Sequence, residues 1–270
     1  MVVLDVHRDA LSVPLVVWLI SLRLHFFAKG FRLKVLLSLN IQNGRVVPLL
    51  SAGPAPERTP EELVEFLLDR GCSRFDLTDR DAALNCGNNR ALIATLIRKI
   101  RSKQSKVCIQ VGGGIRSSDQ AQFFLDAGVT WLAVGAVLQG YPVVVDQLLA
   151  RFRDQLVATV DARQGEVQSP GGVGPAGLSA TTLAGRIRDL GFKRILFNDF
   201  SVDQGADPDF QTAQAIYNLS RIPLFMGGSI LTPSHLAQAA ALRGLQGVLV
   251  DAHTVVGFPE MINSSVQPCS

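Results

Sequence analysis

The chain has 270 residues, 47% hydrophobic and 18% charged, with a formal charge of +3. That length suits one α/β barrel of roughly 250 residues, and the composition excludes a disordered chain. The small positive excess, with its only dense basic run between Arg98 and Lys106, gives no basis for a nucleic-acid partner.

The chain opens on an apolar stretch, Val13 to Phe27, flanked or interrupted by Arg8, Arg23, Lys29 and Arg32. It is shorter than the roughly 20 residues of a membrane-spanning helix, and Ala28-Lys29-Gly30 is a poor signal-cleavage site. Residues 1–34 are therefore expected to be an extension outside the barrel, with organelle targeting as the alternative. Residues 35–260 are assigned to the barrel and 261–270 to a tail.

From Lys34 onward short apolar runs alternate with amphipathic stretches. Strands are predicted at Val35 to Leu39, Arg74 to Leu77, Val107 to Val111, Trp131 to Val134, Leu156 to Val160, Arg194 to Phe197, Pro223 to Met226 and Gly247 to Val250. Each is short and apolar, as buried parallel strands are. Thr59-Pro60-Glu61-Glu62 reads as a capped helix start ahead of Leu63, Phe66 and Leu67. Further helices are predicted from Ser118, over Leu178 to Leu190, and over Pro233 to Leu242. Eight such units fit a (βα)8 barrel or a doubly wound open sheet.

Internal repeats favour the barrel. Leu39 to Val46 aligns with Val160 to Val167, and Gly71 to Asp79 with Gly191 to Asp199. Gly113-Gly114-Ile115 aligns with Gly227-Gly228-Ser229, and Gly128 to Val134 with Gly244 to Val250. Two similar (βα)4 halves close into a barrel with a pseudo-two-fold axis.

In such barrels chemistry sits at the C-terminal strand ends. Val111-Gly112-Gly113-Gly114-Ile115-Arg116-Ser117 follows the third strand and opens a helix, a pattern suited to phosphate. Arg116 adds a charge and Gly135 completes that half-site. Gly227, Gly228 and Ser229 form the matching one, so a ligand with two phosphates is expected. Asn40 and Asp161 occupy equivalent positions after strands one and five. Asp161 is the candidate proton-transfer carboxylate, whereas Asn40 cannot take a proton. After strands two and six come Asp79 and Asp81, then Asn198, Asp199 and Asp203. These either orient ligand hydroxyls or cap loops.

The four cysteines, Cys72, Cys86, Cys108 and Cys269, form no CxxC pair, and none lies at ligand spacing from a His. A reduced, cytoplasmic protein without a metal is expected.

From Leu37 to about Gly257 the chain resembles the histidine-biosynthesis barrels. It is closer to the isomerase branch (phosphoribosylformimino-AICAR ribotide isomerase) than to the cyclase. The residues that carry this are Asn43-Gly44-Arg45-Val46-Val47, Gln110 to Ser117, Asp126-Ala127-Gly128-Val129, Val160-Asp161-Ala162-Arg163 with Gly165-Glu166-Val167, and Gly227-Gly228. The resemblance implies an Amadori rearrangement of a phosphorylated ribotide by a cofactor-free, metal-free monomer. It makes Asp161 the general acid and puts Asn40 where a basic aspartate belongs. It implies further departures at Pro48, Ala136, Gly172, Asn198 and Asp251, the last a carboxylate expected to face a phosphate. Either another acid such as Asp79 replaces the base, or the barrel is catalytically degenerate and binds a phosphorylated metabolite or a partner protein. A cyclase-type barrel with a glutaminase partner is a third reading.

Overall fold

The computed structural model describes residues 33–48, 58–170, 174–201 and 206–257. The first strand, β1 (Lys34–Gln42), turns at Asn43-Gly44 into the antiparallel β2 (Arg45–Val47). Beside β1 lies β3 (Arg74–Asp79), followed by β4 (Cys108–Gly112), β5 (Trp131–Val134) and β6 (Leu156–Arg163), all parallel. The antiparallel β7 (Glu166–Gln168) and β8 (Pro175–Ser179) extend from β6. The ring continues from β6 through β9 (Ile195–Asp199), β10 (Leu224–Gly227) and β11 (Leu245–Asp251) back to β1. Eight parallel strands thus form a closed (βα)8 barrel.

Helices separate the strands: α1 (Pro60–Leu68), α2 (Arg80–Ala83), α3 (Arg90–Lys103), α4 (Ser118–Asp126), α5 (Pro142–Phe152), α6 (Ala180–Asp189), α7 (Phe210–Ser220), α8 (Pro233–Ala240) and α9 (Ala252–Gly257). The predicted start of α1 is a full capping box. Glu62 N donates to Thr59 Oγ1 at 3.2 Å and Thr59 N to Glu62 Oε2 at 2.8 Å. α3 buries Ile93, Leu96, Ile97 and Ile100, positions i, i+3, i+4 and i+7 that form one stripe against the sheet. The basic run ends this helix. There Arg101 donates to the carbonyls of Ser105, Val107 and Gly128 and to Thr130 Oγ1, which pins the loops at the foot of the barrel.

The barrel interior is layered. Leu36, Val157, Leu196, Phe225 and Leu249 pack together with Trp131 against them. Above them the first half turns polar. Ser38 Oγ donates to Asp76 Oδ2 at 2.9 Å, and Gln110 Nε2 to Asp76 Oδ1 at 2.8 Å. A buried carboxylate is tolerated when donors saturate it.

The two hairpins escape the sequence reading, which stops the first strand at Leu39 and the fifth at Val160. Asn43-Gly44 and Gln164-Gly165 both have positive φ at each residue, the two-residue turn that matches strand twist. β1 and β6 therefore run past the barrel rim at equivalent places. Cys72 is buried and Cys86 exposed, and both are free thiols.

Candidate active site

Strand alternation brings one inward position per strand to the mouth: Asn40, Thr78, Gly112, Gly135, Asp161, Asn198, Gly227 and Asp251. The side chains among them touch across neighbouring strands. Asn198 Nδ2 donates to Asp161 Oδ1 at 2.8 Å. Asn40 Nδ2 donates to Asp251 Oδ2 at 3.2 Å. Thr78 Oγ1 reaches down to Asp76 Oδ2 at 3.1 Å. Register pairs Asn40 with Thr78 and Asp161 with Asn198, so these two pairs occupy equivalent places in the two halves.

Asp161 carries the electrostatics of the site. Burial of its carboxyl pushes the pKa above the usual carboxylate range, and the bond from Asn198 partly offsets this. Desolvation penalises the charged form. The direction of the shift favours the protonated form, which is what a general acid requires. Asp76, one layer lower, is raised by the same cause and opposed by Gln110, Ser38 and Thr78. Sequence reading missed Asp76. Its signal was an acid between Phe75 and Leu77, where the second half has Leu196.

The glycine loops sit at matching rims. Gly112 to Gly114 closes β4 beside Gly135, which follows β5, and Gly227 to Ser229 closes β10 beside Asp251. Gly113 and Gly228 both have φ +88°, and a Cβ on either would overlap the carbonyl of Asp79 or Asp199. This corrects the repeat alignment by one residue: Gly112-Gly113-Gly114 matches Gly227-Gly228-Ser229. Sequence alone could not tell one glycine of the triplet from the next, whereas the approach to Asp79 and Asp199 singles out one position. The loop conformation is set by that backbone contact.

A family model described as histidine biosynthesis protein matches residues 34–253. The chain belongs to the histidine biosynthesis protein family. Curated relatives named 1-(5-phosphoribosyl)-5-((5-phosphoribosylamino)methylideneamino)imidazole-4-carboxamide isomerase align along most of its length. The Deinococcus radiodurans relative is 29% identical over 225 residues, covering 80% of this chain and 91% of its own. The Halobacterium salinarum relative is 30% identical over 221 residues, with 80% and 89% covered. The Synechococcus elongatus relative is 31% identical over 199 residues, with 72% and 75% covered.

Within this histidine-biosynthesis barrel the structure redistributes several expected roles. Asp79 is buried and committed. Its Oδ1 accepts from Ala82 N and Asn89 Nδ2, and its Oδ2 from Asn89 N at 2.7 Å. It anchors the loop after β3. Asp199 does the same in the second half, accepting from Ser201 N and Asp209 N. Asp81 accepts from Asn43 N at 2.7 Å and ties down the first hairpin. Arg116 donates to the carbonyls of Ala82 and Ala83. It lines a side cavity of about 270 Å³ with Arg90 and Gln120. Its charge serves to staple two loops together. Ser229 is fully buried, and its Oγ has no hydrogen-bond partner among the described residues. Asp251, expected to face a phosphate, turns its carboxylate to Asn40 on β1. Gly172 and Asp203 lie outside the described residues. Among the described residues no helix is long and apolar enough to cross a membrane.

Proposed function

We propose that this chain is an aldose–ketose isomerase that performs an Amadori rearrangement on a ribotide carrying two phosphates. One observation carries the reading: a carboxyl held toward its protonated form at the barrel mouth, Asp161, stands between two glycine rims related by the internal repeat. A ligand charged at both ends would span the mouth, with one phosphate against the main chain of Gly112, Gly113 and Gly114 beside Gly135. The other would lie against Gly227, Gly228 and Ser229. Main-chain N–H groups suit phosphate oxygens without a side-chain cation. The reacting sugar is then held at the axis, where Asp161 gives its proton to the ring oxygen as the C1–O bond breaks. Asn198 orients that carboxyl. The names of the relatives support the same substrate class.

On this reading the protein acts as a cytoplasmic monomer, without an organic cofactor or metal. The test is turnover of the ribotide by the purified chain, together with rescue of a histidine auxotroph lacking the isomerase. Turnover and growth are expected. No growth with soluble protein present, and calorimetry showing weak or single-phosphate binding, would instead favour the degenerate barrel that Asn40 raises.

A further inference from the structure

We infer that Asp251 is the proton-accepting carboxylate of this site, held in place by the amide of Asn40. The inference rests on the isomerase reading above and supplies the base which that reading lacks.

The internal symmetry makes the case. At one seam between the halves β5 is followed by Gly135, and its neighbour β6 carries Asp161. At the other seam the equivalent pair is β11 and β1, where β11 carries Asp251 and β1 carries Asn40. Each of the two seams between the halves therefore has one mouth carboxylate, and at the β11–β1 seam it stands one strand over, on β11. The two departures are one coupled change. Asn40 Nδ2 donates to Asp251 Oδ2 at 3.2 Å. An aspartate at position 40 would set two negative charges at that distance, which is strongly unfavourable in a partly buried site. An amide there supplies a donor and removes the conflict.

The proton balance closes with these two groups. Asp161 in its acid form protonates the ring oxygen. The C1–O bond breaks, and the nitrogen lone pair forms C1=N. The Asp251 carboxylate removes the proton from C2. The C2–H electrons become the C1=C2 bond, and the C=N pair returns to nitrogen, leaving an enaminol. The enol hydroxyl on C2 then loses its proton to Asp161, and C1 takes the proton held by Asp251. The aminoketose forms and both carboxyls regain their starting states. No external oxidant or reductant takes part.

The experiment compares the full chain with Asp251→Asn and with the double variant Asn40→Asp/Asp251→Gly, using the bis-phosphorylated ribotide. Asp251→Asn is expected to lower kcat by about 10²–10⁴-fold, with the dissociation constant measured by calorimetry changing less than about threefold. The double variant returns the carboxylate to β1 and is expected to regain turnover to within about tenfold of the unaltered chain. Turnover undiminished in Asp251→Asn would overturn the inference while leaving the isomerase reading intact. Equal loss of binding and turnover in Asp251→Asn, with no recovery in the double variant, would also overturn it. An unaltered chain that binds the ribotide without turning it over would bring down the isomerase reading itself, and this inference with it.

Discussion

The carboxylate of Asp79 accepts the main-chain N–H of Asn89 at 2.7 Å, and 120 residues later that of Asp199 accepts the N–H of Asp209 at 2.8 Å. In both halves an acid at a strand end reaches ten residues ahead and closes the loop that follows. The carbonyls of the same two residues press against Gly113 and Gly228. One acid per half thus ties the loop after β3 or β9 to the glycine rim beside it.

Asp79→Ala should therefore act on stability. It strands the donors Ala82 N, Asn89 N and Asn89 Nδ2 in a buried setting. A lost hydrogen bond to a charged group costs about 1.5–3 kcal/mol, and such losses within one network do not add. A drop of about 3 kcal/mol in urea unfolding is expected. In conditions where the variant is folded, kcat should stay within a few-fold of the unaltered chain. A loss of kcat as deep as that of Asp161→Asn, with stability unchanged, would return Asp79 to the catalytic set.

Asp161 makes stability depend on pH with a definite sign. Folding raises its pKa, so the native state binds the proton more tightly than the unfolded chain. The stabilising contribution is full below the unfolded value of about 4 and is lost as pH rises through the native value. Asp161→Asn should flatten that part of the urea midpoint against pH, leaving the slope that Asp76 contributes by the same argument. Asn198→Ala removes the one hydrogen bond that lowers the Asp161 pKa, so the titration of Asp161, followed by carboxyl NMR, should move upward. A downward movement would show that Asn198 does not stabilise the charged form.

Two glycine substitutions separate crowding from backbone preference. Gly44 has φ +72° with open space around its would-be Cβ, whereas Gly113 has φ +88° and a carbonyl in the way. Gly44→Ala should cost about 1–2 kcal/mol, the penalty of a left-handed residue. Gly113→Ala should cost clearly more, because the loop after β3 must shift as well. Thermal unfolding of the two variants measures this, and equal losses would mean that the contact with Asp79 is not constraining.

The eight strands were legible because a parallel strand covered on both faces is written as an uninterrupted apolar run. The repeat was legible because its two halves share turn glycines and strand-end acids. The hairpins at Asn43-Gly44 and Gln164-Gly165 were not read, although both turns lie within the repeat. Their strands continue past the apolar core, where hydrophobicity no longer marks them. The roles of Asp79 and Arg116 were not legible either. An acid at a strand end has the same local sequence whether it faces a substrate or accepts from a loop ten residues on.

By itself the sequence determined the barrel, its two-half construction, the family and the ring of strand-end residues, since all of these follow from periodicity and from which residue types occur at which spacing. Tertiary structure decided which of those residues have polar atoms committed to one another. Asp79 is bonded to Asn89, Arg116 to the carbonyls of Ala82 and Ala83, and Asp251 to Asn40. The partners of Asp251 and Asn40 stand 211 positions apart, and only closure of the barrel brings the first strand beside the last. That closure turns two isolated departures in the sequence into one hydrogen-bonded pair at the mouth.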